Sequence, residues 1–304
     1  MLRILISDGM EKEAVSRLKE MNLEVVDKHY EKEELLEEIK NFDVLIVRSN
    51  TKVRKDVIDA ACTTGKLKLV IRGGVGLDNI DVAYAMENGI EVKNTPNASS
   101  ISVAEMAIGH MFNLARFIHN SNITMRQGQW NKKAYEGIEL FRKTVGIIGF
   151  GRIGKETADR ASALGMKVVY TNRRGEIEGS KYTYLPMDEL LKTSDFVSLH
   201  IPHGGDKPLI GKREIEMMKD GAYLINCARG GVVDEDALLE ALNSNKLAGA
   251  AIDVFVEEPT KNISLTSHDK VSCTPHIGAS TKEAQTRIGD EIVEIILNYI
   301  KENK

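Results

Sequence analysis

The sequence predicts an α/β fold of two domains, each a doubly wound parallel sheet, and three observations predict it. Strand-like runs alternate with helical patterns over the first 94 residues. A second alternation begins at Thr144. It opens with Thr144-Val145-Gly146-Ile147-Ile148-Gly149-Phe150-Gly151-Arg152-Ile153-Gly154, a β-branched run leading into G-x-G-x-x-G and then into a helical pattern. The length of 304 residues suits two domains, and a hydrophobic fraction of 42% gives each a core.

In the first domain, strands are predicted at 2–7, 23–26, 44–47, 67–71 and 90–92. Helices fall between them at 10–20, 31–40, 54–61 and 80–88. This rhythm builds a parallel sheet covered on both faces. The charge-rich stretch 31–40 is a helix with Leu35, Leu36 and Ile39 inward. Asn94-Thr95-Pro96-Asn97-Ala98-Ser99-Ser100 reads as a turn and helix cap. A long helix is predicted over 101–127, its buried face made by Val103, Met106, Ala107, His110, Met111 and Leu114. His110 and His119 are not spaced as a metal pair and read as satisfied helix histidines.

In the second alternation, strands are predicted at 144–149, 166–171, 195–199, 221–226, 248–252 and 270–273. Helices fall at 152–164, 187–193, 211–219 and 234–244. A last helix over 281–302 is assigned back to the first domain, because the second is complete by 280. The expected domains are therefore 1–94 plus 281–304, for substrate, and 95–280, for a dinucleotide, with a cleft between them.

The glycine motif carries specific chemistry. Gly149 allows the tight turn, Gly151 lets backbone approach a pyrophosphate, and Gly154 lets the helix pack on the strand. Arg152 and Ile153 stand at the helix start, where free N–H groups face an anion. The second strand of this unit ends Val169-Tyr170-Thr171-Asn172-Arg173-Arg174. An acid at this distance binds the adenosine ribose in NAD enzymes and repels a 2′-phosphate. Asn172 does not repel it, and Arg173 or Arg174 can pair with it, so the residues point modestly to NADP.

Net charge is −4, with no basic stripe for nucleic acid. The N-terminus lacks a signal-peptide pattern, and no apolar run reaches membrane-spanning length. Three widely spaced cysteines, Cys62, Cys227 and Cys273, fit reduced thiols in a cytoplasm. Cys227 adjoins a strand-end motif but reads as a small apolar filler. His200 and His203 bracket Ile201-Pro202 without nearby Cys or acids, and no metal site is read there.

Ligands of open α/β sheets bind beyond the carboxyl ends of the strands. Three successive strand ends of the second domain carry polar groups: Arg229, then Asp253 with Glu257 and Glu258, then His276. The first domain adds Arg48 and Arg72, each just after a strand. Arg, Glu and His suit hydride transfer at a 2-hydroxy acid. Arg offers a planar fork to a carboxylate. His takes or returns the hydroxyl proton, and a carboxylate bonded to it stabilises the imidazolium.

Those residues carry a resemblance to the D-isomer-specific 2-hydroxyacid dehydrogenases, most to their phosphoglycerate dehydrogenase branch. It runs over essentially all 304 residues. It rests on Val47-Arg48-Ser49-Asn50-Thr51-Lys52, on the run from Gly74 to Asp81, on Ser102-Val103-Ala104-Glu105, on the glycine motif, and on the runs 226–234, 253–259 and 274–278. The resemblance implies a larger Rossmann domain and a smaller flavodoxin-like one. It assigns Arg229 to the substrate carboxylate, His276 to acid–base catalysis and Glu258 as its partner, because the family's acid directly precedes the proline. It places Asp253 at the nicotinamide end with Ala228 and Gly278 nearby, lines the substrate pocket with Gly74 and Val75, and gives Arg48 and Arg72 to a substrate phosphate. The resemblance also implies a cofactor contact by the backbone near Pro202, although Leu199-His200-Ile201-Pro202-His203-Gly204-Gly205 departs from the family's commoner Pro-Leu-Thr and loses a Thr hydroxyl contact.

The expected reaction is 3-phosphoglycerate to 3-phosphohydroxypyruvate, the first step of serine biosynthesis, with NAD by resemblance. A homodimer is expected on the 101–140 region, where Trp130-Asn131-Lys132 resembles an interface segment. Longer members carry a serine-sensing C-terminal domain, and no such feedback is expected of this sequence. The alternatives are a glyoxylate or hydroxypyruvate reductase and, in another class, a dinucleotide-sensing corepressor.

Overall fold

The computed structural model describes residues 2–202, 205 and 207–303. The chain forms two compact units, Met1–Ser99 with Ala279–Lys304, and Ser100–Gly278. The divisions thus fall at 99/100 and 278/279, where the sequence suggested 94/95 and 280/281. His203, one of the histidines weighed above, lies outside the described residues.

The first unit begins β1 (Arg3–Ile6), α1 (Lys12–Glu20), β2 (Glu24–Asp27), α2 (Lys32–Glu38), β3 (Val44–Val47), α3 (Lys55–Cys62), β4 (Leu69–Arg72), α4 (Val82–Glu87) and β5 (Glu91–Asn94). Its sheet has the order β2-β1-β3-β4-β5, all parallel, which is the flavodoxin-like order. Central β3 is buried at every position, as a strand covered on both faces must be. Alternation along the strands splits the core. Leu5, Leu45, Val47 and Val70 pack with Leu35, Val57 and Ile58 on one face. Ile4, Ile6, Val44 and Ile46 pack with Leu18 and residues of the C-terminal helix on the other.

The second unit runs α5 (Ser100–Arg116), α6 (Ile118–Arg126), β6 (Thr144–Ile148), α7 (Arg152–Ala163), β7 (Lys167–Thr171), β8 (Thr183–Tyr184), α8 (Met187–Thr193), β9 (Phe196–Leu199), α9 (Lys212–Met217), β10 (Ala222–Asn226), α10 (Glu235–Asn243), β11 (Leu247–Ile252), α11 (Ile263–Thr266) and β12 (Val271–Cys273). The order β12-β11-β10-β9-β6-β7-β8 is parallel throughout. Counted from β6 it is the Rossmann order 3-2-1-4-5-6 with a seventh strand added. α8, α9 and α10 close one face through Leu190, Ile215, Leu238 and Leu242. α5 and α7 pack together within the same unit.

The last helix, α12 (Lys282–Glu302), belongs to the first unit. Ala284, Ile288, Ile292, Val293 and Ile296 form its buried stripe. A Cβ at Gly289 would come 2.7 Å from the Ala14 Cβ, so glycine sets the close approach of α12 to α1.

The helix expected over 101–127 is two helices. Phe117 breaks it with φ 53°. In an unbroken helix the His119 N–H would bond the Ala115 carbonyl. Instead Ala115 O accepts from Ile138 N (2.9 Å), and the Asn113 side chain accepts from His119 N (2.7 Å). Among the described residues no helix is long and apolar enough to cross a membrane, and no group of three or more His, Cys, Asp or Glu is placed to hold a metal ion.

Candidate active site

The glycine turn follows β6. Gly149 has φ +93°, and a Cβ there would fall 2.4 Å from the His200 carbonyl oxygen, so only glycine fits. A Cβ at Gly154 would fall 2.1 Å from Gly149 O, which is why α7 can sit so close to the strand. Gly151 faces open space, with nothing within 4 Å of an added Cβ, and no side chain caps the α7 N-terminus. Among the described residues no side chain reaches the first amides of α7, at Arg152, Ile153 and Gly154, and with the open Gly151 surface they leave room for a pyrophosphate. The residues therefore fit a dinucleotide. Asn172, Arg173 and Arg174 follow β7, and both arginines are exposed, with no ion pair or side-chain hydrogen bond among the described residues. Pro202 follows β9 and is exposed.

Three further strand ends supply the polar groups. After β10, the Asn226 side chain accepts from Ala228 N and donates to Arg229 O, both at 3.0 Å, so it folds the turn that presents Arg229. Cys227 in that turn is buried, and burial pushes its thiol well above the usual range, so it is a packing group and no nucleophile. A Cβ at Gly230 would lie 1.8 Å from Phe255 O. The Arg229 turn and the loop after β11 are therefore in direct backbone contact.

Asp253, 1% exposed, directly follows β11. Its carboxylate accepts from Thr274 Oγ1 (2.5 Å), Ile277 N (2.9 Å) and Gly278 N (2.8 Å), and its carbonyl accepts from His276 N (2.8 Å). Four bonds from one residue thus fix the turn after β12. They hold His276 at φ 53°, a conformation that costs a non-glycine residue on the order of 1 kcal/mol and needs such support. Gly278 is part of the same device, because a Cβ there would sit 3.0 Å from Asp253 Oδ2.

Glu258 Oε2 lies 2.7 Å from His276 Nδ1, and Oε1 accepts from Phe255 N at 3.1 Å. Partial burial works to raise the Glu258 carboxyl. The His276 hydrogen bond, the Phe255 amide and the positive charges of His276 and Arg229 outweigh it, and the net shift is downward. The carboxylate is thus ionised at neutral pH and holds Nδ1–H, which leaves Nε2 as the proton acceptor or donor. Glu257 instead pairs with Lys261.

In the first unit, Arg48 follows β3. Asp8 accepts from Arg48 N (2.7 Å) and from Thr51 N and Oγ1, while Asn79 Nδ2 donates to Arg48 O (2.8 Å) and Thr51 O (2.7 Å). These two residues shape the Arg48 loop. The Arg72 guanidinium lies across Gly74, whose φ of +148° and lack of a Cβ permit it. Val75 O accepts from Asn94 Nδ2.

Sequence reasoning missed Asn226, Asp8 and Asn79. Their one sequence signal is a polar residue at a strand terminus or tight turn, as common in scaffolds as in sites.

The geometry brings Arg229, Glu258, His276 and Asp253 together in the unit that carries the glycine turn. The family model described as D-isomer specific 2-hydroxyacid dehydrogenase, NAD binding domain, matches residues 108–278. The chain is 48% identical over 304 residues to a hydroxypyruvate reductase of Thermotoga maritima, spanning 98% of both chains. It is 46% identical over 308 residues to a D-3-phosphoglycerate dehydrogenase of Methanocaldococcus jannaschii, covering 99% of this chain and 58% of that one. A crystal structure of a protein from Thermus thermophilus superposes with a TM-score of 0.91 at 33% identity, covering 99% of this chain and 97% of the other. The family model matches residues 108–278 and the relatives span nearly the whole chain, which belongs to the D-isomer-specific 2-hydroxyacid dehydrogenase family.

Proposed function

We propose that the chain interconverts a D-2-hydroxy acid and its 2-oxo acid with a nicotinamide cofactor, and that the physiological pair is 3-phosphoglycerate and 3-phosphohydroxypyruvate. The observation that carries the reaction is the His276–Glu258 pair at 2.7 Å beside Arg229. The Arg229 guanidinium binds the substrate carboxylate in a fork. In oxidation, His276 Nε2 takes the hydroxyl proton as the C2 hydrogen leaves as hydride, and Glu258 stabilises the imidazolium. In reduction the same nitrogen returns the proton. The nicotinamide ring, when bound, takes or supplies the hydride. Asp253 keeps the His276 turn in place and stays out of the proton path.

A cavity of about 600 Å³ in the first unit supports the phosphorylated substrate. Arg48 and Lys282 bring charge to it and Ser280, Thr281 and Thr286 bring hydroxyls, against one acid, Glu11. Exposed Arg173 and Arg174 after Asn172 support NADP over NAD. A second reading, hydroxypyruvate or glyoxylate reduction, is favoured by the 48% identity to a hydroxypyruvate reductase over nearly its full length.

A cytoplasmic homodimer completes the proposal. Phe112, Ile118, Met125, Trp130 and Phe141 of the second unit are exposed, Trp130 at 78%, and exposed apolar side chains of this size suit contact with a second copy. Sedimentation of a monomer at micromolar concentration refutes that part.

The deciding assay is reduction of phosphohydroxypyruvate, hydroxypyruvate and glyoxylate, each with NADH and NADPH. The highest kcat/KM is expected for phosphohydroxypyruvate, with an Arg48→Ala variant losing it selectively. A preference for glyoxylate or hydroxypyruvate that Arg48→Ala leaves unchanged overturns the phosphate assignment.

A further inference from the structure

His110 is the buried polar group that the reaction above does not use. It lies on α5, 4% exposed, and both ring nitrogens are engaged. Nδ1 lies 2.8 Å from Ser272 Oγ and Nε2 lies 3.2 Å from Thr274 Oγ1. Ser272 and Thr274 are two apart on an extended segment, so both face α5. Asn113, one helical turn beyond His110, donates Nδ2 to Ser272 Oγ at 2.6 Å. Thr274 Oγ1 donates to Asp253 Oδ1 at 2.5 Å.

The ends of this series and a neutral His110 ring together set the direction of every bond. The His119 backbone N–H can only donate, so the oxygen of the Asn113 amide faces it and the nitrogen faces Ser272. Ser272 Oγ accepts there. Thr274 spends its one proton on Asp253, so it accepts from His110 Nε2–H, and the neutral ring then accepts the Ser272 proton at Nδ1. At the far end, the Ile277 and Gly278 N–H groups also only donate, which requires Asp253 to be an acceptor throughout. The result is a one-way chain, Asn113 to Ser272 to His110 to Thr274 to Asp253. Burial also favours the neutral ring, with the Asp253 charge opposing.

We infer that His110 is a positioning residue for the acid–base histidine. As the neutral Nε2–H tautomer it ties α5 to Thr274 and Asp253, and Asp253 holds the turn that keeps His276 in its left-handed conformation. An apolar side chain at 110 would fill the space. It would leave the Ser272 proton and the Thr274 lone pair without partners in a buried place, and Asp253 would lose the orientation of one of its three donors. The inference rests on the acid–base role of His276 proposed above.

The test uses His110→Met, close to the original in volume, His110→Gln, which keeps a donor near the Nε2 position, and Thr274→Val, which cuts the chain next to Asp253. Amide hydrogen exchange at Ile277 and Gly278 reads the turn without any substrate, and kcat and KM read the reaction. His110→Met and Thr274→Val are expected to speed exchange at both amides and lower kcat by about tenfold each, at little change in KM, the effect of one lost buried hydrogen bond. His110→Gln is expected to restore most of both. The double variant His110→Met with Thr274→Val is expected to be no worse than either single one, because both break the same chain. A folded His110→Met with wild-type exchange and kcat overturns the inference, as do single effects that multiply in the double variant. If His110→Met does not fold, unchanged exchange in Thr274→Val overturns it. Should the wild type reduce no 2-oxo acid, the proposed function fails while the exchange result still decides the chain.

Discussion

Replacing Glu258 by Gln and by Ala separates two parts of its role, and the structure orders the outcomes. Glu258 uses one oxygen for the Phe255 N–H and the other for His276 Nδ1. In Glu258→Ala the carboxylate is gone and water reaches the loop. The loss is that of one charge-assisted bond, about 1.5–3 kcal/mol. The paired side chains keep 39% and 38% of their surface in solvent, which favours the lower figure. About 1.5 kcal/mol lowers kcat roughly tenfold. In Glu258→Gln the Phe255 N–H must face the amide oxygen, so the NH2 group faces Nδ1. His276 then has to accept at Nδ1 and carry its proton on Nε2, the wrong tautomer for receiving the substrate's proton. Turning the amide over places two donors face to face and costs at least ~1 kcal/mol more. Together these reach ~2.5 kcal/mol, or about 70-fold. The conservative variant is therefore the worse one. Steady-state kinetics of the two variants beside the wild type check this. A Glu258→Gln enzyme as active as Glu258→Ala refutes the tautomer argument.

Other outcomes follow from single contacts. Gly230→Ala drives a methyl group to 1.8 Å from the Phe255 carbonyl oxygen and must separate Arg229 from Glu258; kcat/KM is expected to fall on the order of 100-fold, with NAD(P)H binding unchanged in a fluorescence titration. Burial lowers the His200 ring to about 3 from an ordinary 6.5. The unfolded chain then binds a proton that the folded one refuses, so this contribution is complete above pH 6.5 and is lost as pH falls toward 3. Urea unfolding should show His200→Gln with a flatter pH dependence, by roughly 1.4 kcal/mol per pH unit in that window. Exchanging Arg173 and Arg174 for Ala is expected to raise the KM for NADPH about tenfold or more and leave that for NADH within about twofold; equal effects on both cofactors remove the 2′-phosphate assignment.

Most of the fold was readable because parallel strands are short apolar runs between helices of clear periodicity. β3 and β6 illustrate this, each a nearly unbroken aliphatic stretch. The break at Phe117 was not readable, because what ends the helix is a carbonyl taken over by Ile138, more than twenty residues on. The two-residue β8 and the four-residue α11 have too few residues to show a period. Within the site, Arg229, Glu258 and His276 stood out because strand ends are where ligands bind. The residues that hold them did not. Asn226 and His110 look like ordinary polar residues near a core, and their work depends on partners far along the chain, 162 residues away for His110 and Ser272.

The proposed reaction depends on one imidazole, that of His276, to move the proton in hydride transfer. Its most direct measurement compares the wild type with His276→Ala for 2-oxo acid turnover, together with NAD(P)H affinity by fluorescence. Turnover is expected to fall by about 10²- to 10⁴-fold, with an affinity within about twofold of the wild type. Turnover equal to that of the wild type would contradict it.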